Sequence, residues 1–197
     1  TNDGSATFEI SALEHSVVEA IDRVLQIAGD DAQKIGCVTM ASLVGNILGI
    51  NRHGEPITPV FTYADTRNVH AAEELRRRLG ESGRSQIHDR TGCLIHTSYL
   101  PARFLWLQQE QADWFEQVSH WISIGEYLLW RFTGTRAVSY SVASWSGLLN
   151  RRNLTWDDDT LHLLGFSQSK LSPLIDTDEP AMGLANGWKK RWPALAD

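Results

Sequence analysis

Asp65 and Arg67 close the run Asn51-Arg52-His53-Gly54-Glu55-Pro56-Ile57-Thr58-Pro59-Val60-Phe61-Thr62-Tyr63-Ala64-Asp65-Thr66-Arg67. A carboxylate that accepts hydrogen bonds thus stands two residues from a guanidinium that donates two in parallel, a pair able to hold the hydroxyls of a polyol. The same pair can instead close on itself or cap the helix that follows. Gly54 turns the chain, Pro56 and Pro59 restrict pairing, and residues 60–63 form a short β-prone run, so the pair lies where a strand hands over to a helix.

Other polar groups invite weaker readings. Ser42 and Asn46 interrupt an apolar region and either line a cleft or satisfy backbone at strand ends. Glu126 follows a strand pattern and has the type of a general base, yet it also fits the first turn of a helix, where the dipole favours a negative side chain; the helix reading is preferred. Asp157, Asp158 and Asp159 point in different directions from one helix and read as a solvated N-terminus rather than a metal cluster. Cys93 is a reactive thiol only beside a cation that lowers its pKa. No residue is assigned as catalytic or metal-ligating.

The elements that must carry these groups follow from periodicity. Leu13, Val17, Ile21, Val24, Leu25 and Ala28 recur at helical spacing from Ala12, with Gly29 placed to end the helix. Residues 6–10 suit an edge strand, and residues 35–40 and 47–50 read as buried strands. A second helix is expected from Arg67 or Asn68 to Leu79, broken by Gly80, Ser82 and Gly83, with Arg76, Arg77 and Arg78 on a solvated face. Pro101 opens a helix carrying Phe104, Leu105 and Trp106. Residues 121–124 read as a strand, residues 126–132 as a helix capped by Gly134, and residues 139–145 as a short helix or turn. Thr155 is expected to cap a helix over residues 156–164 that Gly165 closes.

Composition sets the outer bounds. The 197 residues are 42% hydrophobic, enough for one sizeable core, and 18 Lys and Arg against 24 Asp and Glu leave a net charge of −6. That sign disfavours nucleic acid and anionic lipid as partners. The longest charge-free stretch, between Lys34 and Arg52, is cut by Gly36, Gly45 and Gly49 and falls short of a membrane span. Cys37 and Cys93 lack metal-ligand spacing, and no signal-peptide pattern is seen, so a reducing cytoplasm is expected. Eight tryptophans suggest sugar stacking, but Trp106 and Trp130 lie in apolar helical patterns and read as core.

Taken with its flanks, the Asn51–Arg67 passage resembles the FGGY family of carbohydrate kinases, in Gly54-Glu55-Pro56, Ile57-Thr58-Pro59 and Tyr63 two residues before Asp65-Thr66-Arg67. Similar runs include Thr91-Gly92-Cys93 with His96 and Tyr99, Leu105-Trp106-Leu107, Ile122-Ser123-Ile124-Gly125-Glu126-Tyr127-Leu128, Tyr140-Ser141-Val142-Ala143-Ser144 with Gly147-Leu148, and Leu154-Thr155-Trp156-Asp157 with Leu163-Leu164-Gly165. The resemblance implies an α/β, ribonuclease H-like domain of the actin and hexokinase ATPase type, a mixed sheet flanked by helices, incomplete at both ends. It implies a sugar, polyol or sugar acid as substrate and ATP with Mg²⁺ as cosubstrate and cofactor of the full-length enzyme.

By the same resemblance, Asp65, Arg67, His96 and Tyr99 border the sugar. Val44 and Gly45 stand where many relatives carry a Met-His or Trp-His pair, leaving room for a bulkier substrate or a contact from Asn46. The phosphate-facing Asp-x-Gly-Thr-like hairpin and the downstream Gly-x-x-Asp-Gly-like segment with the general base have no counterpart here, so the chain alone is expected to be inactive and to bind no nucleotide. A non-catalytic binding module with the kinase fold is the rival. An uncovered sheet edge leaves a homodimer open as a further partner.

Overall fold

Apolar side chains alternate along the short strands of this protein, and that alternation decides which helices each strand face meets. The computed structural model describes residues 3–196. It runs β1 (Thr7–Phe8), α1 (Ile10–Ala28), a 3-10 turn (Gly29–Lys34), β2 (Leu48–Ile50), β3 (Val60–Phe61), α2 (Val69–Thr91), α3 (Leu100–Glu110) and α4 (Ala112–Gln117). The order continues with β4 (His120–Ile122), α5 (Ile124–Thr133), β5 (Val138–Ser139), α6 (Tyr140–Ala143), β6 (Leu149–Asn150), β7 (Thr155–Trp156), α7 (Asp158–Leu163), β8 (Leu174–Ile175) and α8 (Asn186–Arg191).

β1 pairs antiparallel with β3, and β2 with β4. Reciprocal hydrogen bonds between Ile47 and Phe61, 3.0 and 2.8 Å, join the two ladders, so the strands run side by side in the order β1, β3, β2, β4. β5 and β8 form a separate parallel pair, and β6 and β7 an antiparallel one. On one face of the main sheet, Ile47, Phe61 and Trp121 pack with Ala71 and Leu75 of α2 and with Phe104 and Leu107 of α3. On the other, Leu48, Ile50, Val60 and Ile122 pack with Ile10 of α1 and with Tyr127 and Leu128 of α5. Each such fully buried side chain contributes about 2 kcal/mol relative to exposure, so both helical layers are held chiefly by this short sheet.

Several elements depart from the sequence expectation. Residues 35–40 are not a strand: they pair with no described segment, and Val38 and Met40 are 66% and 49% exposed. An apolar run becomes a strand only when a neighbour completes its ladder. The break at Gly80 is a kink, with φ +61° and ψ −168°, after which the helix resumes to Thr91. Thr155 belongs to β7, and the cap of the next helix is Asp157, whose side chain accepts from the Thr160 N–H. β1 covers only Thr7–Phe8, and Ile10 already starts α1. β4 ends at Ile122 because Ser123 caps α5 in a reciprocal box with Glu126.

The turn between β2 and β3 is built by Asn51, whose Oδ1 accepts from the N–H groups of His53 at 2.8 Å and Glu55 at 3.0 Å. Gly54 completes it at φ +80°, and a Cβ there would stand 1.7 Å from Trp130 Cη2 of α5. Gly134, the α5 cap, has the same φ but nothing within 4 Å of a built Cβ. Gly54→Ala should therefore lose about 2–4 kcal/mol in urea denaturation, combining left-handed strain with overpacking, whereas Gly134→Ala should lose about 1 kcal/mol from strain alone. Equal losses would mean that the ring moves aside freely.

Candidate functional site

Asp65, at the end of the passage the sequence singled out, has no solvent exposure. Its Oδ1 accepts from the Arg67 backbone N–H at 3.2 Å, Arg67 Nε at 3.1 Å and Arg103 Nη1 at 3.0 Å. Its Oδ2 accepts from the Ala6 N–H at 3.3 Å and Arg67 Nη2 at 2.6 Å. Arg103 also donates to the Asp65 carbonyl. Both guanidinium groups lie against the Trp106 ring, 4.8 Å from its centroid for Arg67 and 5.4 Å for Arg103. Burial alone would raise the Asp65 pKa, but the Arg67 hydrogen bond and the charge of Arg103 outweigh it and hold the carboxyl below its ordinary range. Burial also pulls the Arg103 pKa down, yet a guanidinium starts so high that it stays protonated.

Arg103 went unremarked in the sequence, although a lone charge inside Leu100-Pro101-Ala102-Arg103-Phe104-Leu105-Trp106-Leu107 was the available signal. It is 3% exposed, whereas the Arg67 side chain retains 25% exposure. The Asp65–Arg67 pair therefore closes on itself and on α3, as one of the two sequence readings allowed.

Gly45, Asn46, His96 and Tyr99 lie apart from this clamp, and the Gly45 loop meets the segment carrying His96 and Tyr99 at Ser98. Gly45 sits at φ +67°, and a Cβ on it would stand 3.1 Å from Tyr63 Cβ and 3.4 Å from the Ser98 carbonyl oxygen. Tyr63 is 54% exposed. Ser98 donates its backbone N–H to His96 Nδ1 at 3.2 Å, which leaves the proton of the neutral ring on Nε2, a donor at the surface. Tyr99 lies against Gly147, and burial followed by the nearby Cys93 raises its pKa, so its phenol stays neutral. Asn46 faces inward: its Oδ1 accepts from the Ile124 N–H at 2.7 Å and its amide donates to the Leu43 carbonyl, tying the loop to the start of α5. Ser42 lies against Gly125, 2.6 Å from where a Cβ would be.

Beneath this rim is a small cavity lined by Val44, Gly45, Asn46, Glu126, Trp145 and Ser146 among others. Glu126 Oε2 accepts from the Ser123 N–H at 2.7 Å. Burial pushes its pKa up, and the opposing pulls of Ser123, Ser172 and Arg136 do not cancel that rise. Cys93 is buried too, with Sγ donating to the Ser144 carbonyl at 3.3 Å, and burial raises its pKa, the opposite of what a reactive thiol needs.

Asp157 is corrected from a solvated residue to a buried one, 2% exposed. Arg90 Nε donates to it at 2.8 Å, and the Thr160 hydroxyl at 2.7 Å. Only its neighbours Asp158 and Asp159 face solvent. Among the described residues no three His, Cys, Asp or Glu side chains cluster. No described helix is long and apolar enough to cross a membrane.

Comparison with known proteins adds the family context. The model of the FGGY family of carbohydrate kinases, N-terminal domain, matches residues 2–194. Gluconokinase from Bacillus subtilis is 25% identical over 178 residues, 88% of this chain and 34% of that protein. Autoinducer-2 kinase from Escherichia coli K12 is 27% identical over 174 residues, 88% of this chain and 32% of that protein. The crystal structure of xylulose kinase from Rhodospirillum rubrum superposes with a TM-score of 0.89 at 17% identity, covering 98% of this chain and 40% of that one. The chain thus spans about a third of the length of the curated relatives it matches.

Arg103→Leu should cost about 3 kcal/mol or more in chemical denaturation, because it strands a buried carboxylate, and Arg67→Leu should cost less because that partner is part-solvated. The reverse order would place the structural charge at Arg67. Glu126→Gln preserves the capping geometry and removes the ionisable group. Because the folded-state pKa of Glu126 lies above its ordinary 4.5, native and variant should be closest in stability below that pH. As pH rises past it the native protein should lose stability that the variant keeps. Urea midpoints from pH 4 to 8 read the difference, and a gap that shrinks with rising pH would refute it.

Proposed function

The chain belongs to the FGGY family of carbohydrate kinases, and on that premise we propose that it forms the sugar-holding side of an ATP-dependent kinase that phosphorylates a hydroxyl of a sugar, polyol or sugar acid. The observation that supports this reading is the close approach of Gly45 to Tyr63 and to the Ser98 carbonyl, in the segment that carries His96 and Tyr99, at a left-handed position where a side chain would be strained. An exposed aromatic face suits the C–H face of a carbohydrate, while His96 Nε2–H and a neutral Tyr99 hydroxyl suit its oxygens. Asp65 and Arg67 serve from behind, locking the end of β3 so that Tyr63 is presented at the rim.

The reaction joins a substrate hydroxyl oxygen to the terminal phosphorus of ATP, releases ADP and hands the hydroxyl proton to a base. Neither buried carboxylate near the site suits that last role. Asp65 has its acceptor positions filled by two arginines and a depressed pKa, and Glu126 is enclosed and tends to hold its proton. We assign the base, the nucleotide phosphates and any Mg²⁺ to the remainder of the full-length protein, which leaves this chain to bind and orient the acceptor and to exclude water from it. By itself it is expected not to turn over ATP.

The test is ATP consumption by the full-length protein with gluconate, xylulose and glycerol as acceptors. One of these should stimulate ADP release, and Tyr63→Ala should raise KM for it by about tenfold with kcat little changed, the signature of lost ground-state binding. Saturable sugar binding without ADP release would instead favour a non-catalytic binding module, and a Tyr63→Ala enzyme with unaltered KM would move the acceptor away from this rim.

A further inference from the structure

The cavity under the rim measures about 30 Å³, room for one water molecule. Its wall is partly polar: Trp121 of β4, Ser123 and Glu126 at the start of α5, and Ser172 ahead of β8 all line it. Two of these residues carry buried polar atoms without a protein partner at ordinary hydrogen-bond geometry, Trp121 Nε1 and Ser172 Oγ, although the Ser172 hydroxyl lies near enough to the Glu126 carboxyl to lower its pKa, and each residue is 1% exposed. Glu126 adds acceptor capacity to the same wall: its Oε2 accepts from the Ser123 N–H, and a carboxylate has lone pairs for more than the serines that bear on it. Two other buried polar atoms among the described residues lack partners, Asn68 Oδ1 and Arg136 Nε, and neither residue lines this cavity. Leaving a buried donor or acceptor unpaired costs about 1–3 kcal/mol, so two unpaired groups facing one polar cavity of this size point to a shared partner.

We propose that this cavity is a binding site for a single water molecule, which accepts from Trp121 Nε1–H and hydrogen-bonds Ser172 Oγ and Glu126 Oε1. Three partners match the usual coordination of a buried water. The site joins β4, the first turn of α5 and the segment before β8. It lies directly beneath Val44, Gly45 and Asn46, whose loop is already tied to α5 through Asn46 and the Ile124 N–H. The water is therefore a strut under the rim, and the proposal does not depend on the kinase reading.

A high-resolution crystal structure of the chain tests this directly, together with water-to-indole cross-relaxation in Trp-labelled protein. A single density peak within hydrogen-bond reach of Trp121 Nε1, Ser172 Oγ and Glu126 Oε1 is expected. So is a cross-peak between the Trp121 indole proton and a long-lived water, lost in Trp121→Phe and weakened in Ser172→Ala. An empty cavity, a direct protein acceptor on Trp121 Nε1, or an indole proton with no water cross-peak in the unsubstituted protein would overturn the proposal, and those readouts need no variant to fold.

Discussion

A carboxylate removed wholly from water must be neutralised from several directions, and Asp65 sets that requirement for this fold. Its partners come from distant places in the chain: the backbone of Ala6 before β1, Arg67 just beyond β3 and Arg103 in α3. Each bond fixes the position of the element that carries it. Edge strand, sheet end and helix are thereby joined at one point, and Trp106 closes the site with its ring against both guanidinium groups. The charges repay their desolvation because every acceptor position is filled, which is the condition under which a buried ion pair holds a structure together.

That clamp lies close to the rim without being part of it. Tyr63 is two residues from Asp65, and its exposure beside Gly45 depends on where the clamp stops β3. The rim loop at Gly45 is held from the other side by Asn46, which links it to α5, and α5 is in turn set by the Ser123–Glu126 box. Two rigid supports therefore meet under loops that can vary.

Much of the fold was legible from pattern. The helical spacing from Leu13 to Ala28, the proline entering α3 and the strand before Glu126 all appear in place, because hydrophobic periodicity and caps are local properties. Glu126 proved a capping residue, in keeping with the reading that placed it in the first turn of a helix. Residues 35–40 were misread because strand formation depends on a neighbour that periodicity cannot supply. Asp157 was misread because a triplet of acids looks solvated until Arg90, far away in sequence, is brought to one of them.

The sequence by itself determined the family, the α/β class and the set of polar residues from which a site is made, since these rest on residue type and spacing. Tertiary structure decided what each of those residues does. It enclosed Asp65 and Arg67 with Arg103, turned Asn46 inward, and brought Gly45, at the edge of a cavity, against Tyr63 and Ser98. The physical reason is that burial, charge pairing and pKa depend on which groups meet across the chain, and those meetings are made only when the two helical layers close on the sheet.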